Sequence, residues 1–150
     1  MQTVFFDDTI ELKMEKDITE ILKRSQLSIT GSRKKILELF QKSNGALAHA
    51  DIESSTGEQY DRVTIYRTLQ TFVEKGIIHT IPTADNSVRY ALCKDECTEG
   101  HHHDNHVHFI CDNCGATYCL ENIIVPEVKL PGGFIQKQAD VIVSGTCDKC

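Results

Sequence analysis

Two cysteine pairs with identical spacing constrain this chain more than any other feature. Cys111 and Cys114 form the first pair, and Cys147 and Cys150 form the second. Two residues between cysteines let both sulfurs face one metal ion, and two such pairs supply four thiolates for a tetrahedral zinc site. Gly115 provides the permissive backbone that the turn behind the first pair needs. A site with four protein ligands has no open position, so we predict that it is structural.

Disulfide bonds and iron are the alternatives for these cysteines. The sequence starts Met-Gln-Thr-Val-Phe-Phe-Asp-Asp, and this start has neither the basic region nor the apolar segment of a signal peptide. We therefore expect a reducing, cytoplasmic location, which favours zinc over disulfides. An iron centre with four thiolates uses the same spacing and stays open at this point. No apolar run approaches the length of a membrane span, so no membrane attachment is expected.

Length and charge limit the remaining choices. A chain of 150 residues suits one domain or two small ones, and two small ones need a metal or a partner subunit for stability. The net charge of −6 is unevenly spread: residues 1–82 carry 11 Lys and Arg against 12 Asp and Glu, and residues 83–150 carry 5 against 10. Basic residues cluster at positions 33–35 and on the fourth predicted helix, which is compatible with DNA binding by the first part.

The first 92 residues have the pattern of a winged helix-turn-helix domain. Apolar residues at helical spacing predict four helices: residues 16–25, from a Thr30 cap towards residue 44, 49–54, and from an Asp61 cap to Gly76. The fourth helix is predicted to bury an apolar side made of Val63, Ile65, Tyr66, Leu69, Phe72 and Val73. Two β-prone runs over 77–81 and 87–92 then indicate a hairpin, the wing of this motif.

Polar residues on the fourth helix are candidates for DNA contact. In this motif the last helix enters the major groove, where arginines contact guanine or phosphate. Hydroxyl and aromatic side chains contact sugar, phosphate or a thymine methyl group. The candidates are Arg62, Thr64, Tyr66 and Arg67. The alternative is a solvated polar face, which any soluble helix has.

A polar, histidine-rich linker over residues 93–105 separates this part from predicted strands over 107–110, 116–120 and 134–143. On a strand, residues two apart point to the same face, so His106 and His108 can reach one ion. The three histidines before them, at positions 101–103, are expected to be a solvated loop, because nothing fixes their geometry.

In this order, the motifs resemble the ferric uptake regulator (Fur) family of metal-dependent repressors. They are Leu27-Ser-Ile-Thr-Gly-Ser-Arg33, Thr64-Ile-Tyr66-Arg67-Thr-Leu69, Gly76-Ile-Ile-His79, His106-Val-His108-Phe-Ile-Cys111 with Cys114, and Cys147-x-x-Cys150. The resemblance implies an α+β fold: an N-terminal winged helix-turn-helix domain over 1–92, a hinge over 93–105, and a small C-terminal α/β dimerisation domain over 106–150 with the four-cysteine zinc site. It also implies a homodimer that binds a double-stranded DNA operator, and no enzyme activity.

The resemblance further implies a regulatory metal between the two domains, with ligands similar to those of the zinc-sensing (Zur) branch. The expected ligands are His79, Cys93, His106 and His108. One thiolate and three imidazoles suit tetrahedral Zn²⁺, whereas Fe²⁺ and Mn²⁺ favour carboxylates and more ligands. Iron- and peroxide-sensing members place carboxylates where this chain has Ala91 and Cys119, and a histidine where it has Ala46.

The expected function is therefore zinc-responsive repression, in which bound metal fixes the orientation of the two domains in a dimer. An iron- or peroxide-responsive regulator that uses Fe²⁺ is the alternative. A zinc hydrolase or deaminase is less favoured because the chain lacks His-Glu-x-x-His and the deaminase motif. A metal buffer is less favoured because the fourth helix matches a DNA-binding one. Cys97 and the histidines at 101–103 are the first candidates to replace one of the proposed ligands. For Cys97 and Cys119 the roles of ligand, redox thiol and buried small side chain all stay open.

Overall fold

The chain folds into helices and two small sheets. A computed structural model describes residues 17–43, 45–93, 106–120, 122–137 and 139–150. The α+β class is confirmed. Residues 94–105, which include Cys97 and the histidines at 101–103, lie outside the described residues. No helix among the described residues is long and apolar enough to span a membrane.

The helices begin where the sequence supplies caps. Helix α1 covers residues 17–24, α2 is Gly31–Lys42, α3 is His49–Thr56, and α4 is Arg62–Glu74 after a 3-10 turn at Gly57–Gln59. Thr30 caps α2 by accepting a hydrogen bond from the Arg33 amide. Asp61 caps α4 by accepting the Thr64 amide at 2.7 Å, and hydrogen bonds from the Thr64 side chain and amide lower the pKa of the Asp61 carboxyl. Both predicted caps are confirmed.

The helices bury one apolar core, to which α4 contributes Ile65, Leu69 and Phe72. The predicted apolar side of α4 was too wide. Val63 is 56% exposed and Tyr66 is 49% exposed, because they lie about 100° of helical rotation or more from the Ile65–Leu69–Phe72 line. Thr68 is buried instead, and its hydroxyl donates to the Thr64 carbonyl at 2.8 Å.

The first sheet, here called the wing sheet, has the order β1-β3-β2 and is antiparallel throughout. Its strands are β1 (Leu47–Ala48), β2 (Ile78–Pro82) and β3 (Val88–Leu92). The predicted hairpin is confirmed as β2 and β3. Strand β1 has no signal in the sequence, because two residues show no alternation.

The second sheet, here called the C-terminal sheet, has the order β5-β4-β6. Its strands are β4 (Val107–Cys111), β5 (Thr117–Leu120) and β6 (Val141–Gly145). β5 pairs antiparallel with β4, and β6 pairs parallel with β4. The predicted strand over 134–143 was placed too early, because pairing with β4 starts only at Val141. The described residues from 106 onwards form strands and loops without a helix.

The two sheets meet beside β5. The Ala46 amide donates a hydrogen bond to the Thr117 carbonyl at 3.1 Å, and Ala46, Ile81 and Ala91 form a small apolar cluster that packs against Cys119. This contact places Ala46, Ile81 and Ala91 against the face of the C-terminal sheet that carries Cys119 and His108.

Candidate metal centres and nucleic-acid interface

The four predicted cysteines come together with the spacing of a tetrahedral metal site. The sulfur distances are 3.8 Å between Cys111 and Cys150, 3.7 Å between Cys114 and Cys147, and 3.5 Å between Cys147 and Cys150. A Zn–S bond of about 2.3 Å places two ligands of a tetrahedron about 3.8 Å apart. A disulfide requires about 2.05 Å, and none of the six described cysteines forms one. The cluster therefore fits a metal and does not fit two disulfides.

Backbone amides support the thiolate form of this cluster. The amides of Cys114 and Cys147 approach the Cys111 sulfur at 3.5 and 3.4 Å, and these hydrogen bonds lower the pKa of the Cys111 thiol to about 6. For Cys150, a hydrogen bond with Asn113 lowers the pKa, but the neighbouring sulfurs outweigh it and raise the pKa to about 12. Four thiolates this close repel one another, so all four thiols can lose their protons only when a cation lies between them.

A second cluster, here called the bridging cluster, joins the two sheets. It consists of His79, His106, His108 and Cys119, whose ligand atoms all lie within 4.8 Å of one another. The Nε2 atoms of His79 and His108 are 3.2 Å apart, and the Cys119 sulfur is 3.8 Å from His79 Nε2. Ligands of tetrahedral zinc are about 3.3 Å apart for two nitrogens and about 3.6 Å for nitrogen and sulfur, from bonds of about 2.0–2.1 and 2.3 Å. The observed distances fit four-coordinate binding.

Strand pairing explains three members of the bridging cluster. His108 on β4 stands directly opposite Cys119 on β5, so both side chains lie on one face of the sheet. His106 lies two residues before His108, and the centroids of their rings are 4.4 Å apart. His79 comes from β2 in the wing sheet, and its ring is 5.2 Å from the ring of His106. His79 is 4% exposed and His108 is 3% exposed.

Cys93 lies next to the bridging cluster, on the far side of the His79 ring. Its sulfur is 3.6 Å from His79 Nδ1, whereas His79 Nε2 faces His108 and Cys119. The structure thus brings together three of the predicted ligands and adds Cys119, while Cys93 as a ligand stays a prediction. The signal for Cys119 was available in the sequence: alternation in the strand after Gly115 puts it on the same face as Thr117, and an antiparallel return after the first cysteine pair brings it opposite His108.

The predicted DNA contacts lie on the solvent side of α4. Arg62, Tyr66 and Arg67 are exposed, and Thr64 is half-buried. The Arg62 side chain lies 3.9 Å from Glu53, and the Tyr66 hydroxyl accepts a hydrogen bond from Gln70 at 3.1 Å.

A shallow polar hollow opens between the start of α2 and this side of α4. Its lining includes the hydroxyl residues Ser28, Thr30 and Thr64 together with Arg33 and Arg67. Arg33 donates to the Ser28 carbonyl at 2.8 Å, which holds its guanidinium at the rim. Hydroxyls and arginines in this arrangement are typical partners of phosphate oxygens.

Comparisons with known proteins point to the same family as the sequence motifs. The Ferric uptake regulator family profile matches residues 24–130. The ferric uptake regulation protein of Staphylococcus aureus is 32% identical over 141 residues, which cover 89% of this chain and 96% of that protein. The protein of the same name from Staphylococcus epidermidis is 31% identical, with 89% and 94% covered.

Solved structures share the fold. A zinc uptake regulator complexed with zinc and DNA superposes with a TM-score of 0.64 at 23% identity, covering 95% of each chain. The Vibrio cholerae ferric uptake regulator superposes with a TM-score of 0.62 at 22% identity, covering 86% of this chain and 98% of that one.

Proposed function

This chain belongs to the ferric uptake regulator family, and we propose that it is a zinc-responsive repressor that binds a palindromic DNA operator as a homodimer when its regulatory site is filled. The bridging cluster carries this proposal, because its donors come from both sheets. His79 belongs to the wing sheet, while His106, His108 and Cys119 belong to the C-terminal region. The two regions correspond to the proposed DNA-binding domain, residues 1–92, and the proposed dimerisation domain, residues 106–150.

The donor set supports zinc as the effector. Three imidazoles and one thiolate form the group, and no carboxylate of the described residues belongs to it. Zinc bound at these donors would supply a fixed tetrahedral link between the two sheets. Fe²⁺ and Mn²⁺ favour more oxygen ligands than this group offers.

The position of His79 couples the cluster to the DNA-binding face. His79 lies on β2, and α4 leads directly through Gly76 into that strand. When the imidazoles and the thiolate share one ion, β2 is held against β4 and β5, and α4 takes one orientation from an ensemble. In a symmetric dimer, this orientation sets the distance between the two recognition helices.

The proposed DNA contacts come from residues on the solvent side of α4. We assign base or phosphate contacts to Arg62 and Arg67, and sugar, phosphate or thymine-methyl contacts to Thr64 and Tyr66. The polar hollow that includes Arg33 and Arg67 supports a phosphate contact beside the groove.

The dimer surface is assigned to the β6 edge of the C-terminal sheet. β6 is an edge strand in the described part of the chain, and Ile142 and Val143 on it are 37% and 44% exposed. Ile135, on the loop before β6, is 88% exposed and is a further apolar side chain in this segment. Contact with the same surface of a second copy would cover these side chains.

Iron is the second candidate, because the Staphylococcus relatives are ferric uptake regulation proteins. The experiment that separates the two metals is activation of chelator-treated protein under anaerobic conditions. DNA fragments are selected separately with the zinc-loaded and the iron-loaded protein, and both sets are titrated while Zn²⁺, Fe²⁺ or Mn²⁺ is held at buffered free levels. We expect Zn²⁺ to restore binding at much lower free concentration than the others. Activation by Fe²⁺ at its physiological free level, without a response to buffered Zn²⁺, would establish the iron alternative.

A further inference from the structure

We propose that Gly45 is a positioning residue: together with Ala46 it forms a metal-independent dock on Thr117 that sets the distance between the wing sheet and the C-terminal sheet, while metal in the bridging cluster fixes the rotation of the wing sheet about this contact. The inference rests on the proposed regulatory role of that cluster. It concerns a backbone contact that contains no metal-ligating atom.

The dock combines a hydrogen bond with a close backbone approach. The Ala46 amide donates to the Thr117 carbonyl at 3.1 Å. A Cβ atom added to Gly45 would lie 2.5 Å from the same carbonyl oxygen. The obstacle is backbone, so no side chain can rotate away. Only glycine lets the chain come this close without moving one of the two sheets.

Local contacts hold Gly45 in this position. The Ser43 hydroxyl donates to the Gly45 carbonyl at 2.8 Å, and the Gly45 amide donates back to the Ser43 hydroxyl at 3.3 Å. On the other side of the contact, Thr117 is 1% exposed. Both partners are therefore fixed, and a displacement at Gly45 is transmitted to the sheets.

The dock and the bridging cluster share the same strands. Thr117 lies two residues before Cys119 on β5. Ala46 packs with Ile81 and Ala91, and Ala91 stands directly opposite His79 in the wing sheet. A shift of the wing sheet away from Thr117 therefore moves His79 away from His108 and Cys119.

The expected displacement is large for a metal site. Ordinary contact needs at least 3.4 Å, so an added Cβ would force the Thr117 carbonyl about 0.9 Å away. Metal–ligand distances tolerate about 0.2 Å. If the wing sheet reaches the binding distance only part of the time, the apparent affinity of the bridging cluster for metal falls in proportion to that fraction.

Gly45→Ala tests the dock, and Gly132→Ala is the matched control, because a Cβ at Gly132 meets nothing within 4 Å. We expect Gly45→Ala to keep its four-cysteine zinc, to bind a second zinc about tenfold or more weakly than the parent in competition with a chelator, and to give an altered Co²⁺ spectrum at the second site. Gly132→Ala should match the parent in all three. Parental affinity for the second zinc in Gly45→Ala would overturn the proposal.

Amide hydrogen exchange gives a second test that does not depend on the folding of Gly45→Ala. In the His79→Ala variant with only its four-cysteine zinc, the Ala46 amide should exchange slowly, because the dock needs no metal in the bridging cluster. Exchange of Ala46 at the rate of an unstructured chain would overturn the dock. Failure of the parent to take up a second zinc would refute the regulatory site instead, and the Ala46 amide would still decide whether the dock exists.

Discussion

The four-cysteine cluster and the bridging cluster have similar tetrahedral spacing but are built in different ways. Both pairs of the first lie in one region, around the end of β4 and the turn after β6. The second takes His79 from the wing sheet and its other members from the C-terminal region. We therefore expect metal in the first site to hold one small sheet folded, and metal in the second to restrict how the two sheets are oriented. In this proposal, the same coordination geometry contributes to stability in one site and to regulation in the other.

The largest effect is expected when the four-cysteine cluster is broken. Cys114→Ser or Cys147→Ser should unfold the C-terminal region, because structural zinc contributes its binding energy, on the order of 10 kcal/mol in zinc-finger peptides, to folding. Thermal unfolding and zinc content measure this effect. Cys119→Ser is the matched control in the same sheet and should keep both the melting temperature and one zinc. A Cys147→Ser protein with the melting temperature and zinc content of the parent would refute the structural role.

Removal of the bridging histidine should leave the fold intact and abolish the switch. His79→Ala is expected to lose more than about 100-fold in affinity for the second metal, since even partners of metal ligands contribute 10–100-fold. DNA binding should then no longer respond to added zinc, while the first zinc is retained. His49→Ala is the matched control, because His49 is a half-buried histidine at the start of α3 that lies outside both metal clusters, with its ring 3.6 Å from Glu53. A parental metal response in His79→Ala would place the regulatory site elsewhere.

Two cysteine variants decide which sulfur belongs to the bridging cluster. Cys119→Ser should abolish activation by zinc, because Cys119 faces the same His79 nitrogen as His108. Cys93→Ser should weaken activation by about 10-fold, as expected for a group that orients a ligand through its other ring nitrogen. The reverse order of effects would establish Cys93 as the thiolate ligand, as predicted from the sequence.

The smallest effect concerns the DNA-binding face. Arg67→Ala should weaken operator binding by about 1–3 kcal/mol, with loss of discrimination at one base pair if the contact is to guanine, or uniformly if it is to phosphate. Lys149→Ala, which removes one positive charge in the C-terminal region, should bind DNA like the parent. Affinity should also fall steeply with salt, because a local basic face supplies the attraction. Unchanged affinity in Arg67→Ala would remove α4 from the groove.

Local chemistry made the helices and the first cluster predictable from the sequence. The caps at Thr30 and Asp61 act within three residues, and the cysteine pairs carry their spacing in the sequence itself. The outward position of Val63 follows from helical spacing as well, because helical rotation turns it away from the Ile65–Leu69–Phe72 line, and the predicted apolar side of α4 overlooked this.

Contacts between distant segments account for what the sequence did not reveal. Strand β1 exists because Leu47 and Ala48 pair with Tyr90 and Arg89 of β3. Cys119 enters the bridging cluster through pairing with His108, and the cluster closes only because the wing sheet lies against β5. Each of these features depends on register or docking between segments that are far apart in the chain.

The Co²⁺ spectrum of the bridging cluster tests the central claim most directly. Protein with zinc in the four-cysteine site is titrated with one equivalent of Co²⁺ under anaerobic conditions, and operator binding is followed in the same samples. We predict intense tetrahedral d–d bands and a thiolate charge-transfer band that grow together with DNA binding and are lost in His79→Ala. A weak octahedral spectrum without the thiolate band, in a sample that nevertheless binds DNA, would contradict a four-coordinate thiolate site between the two sheets.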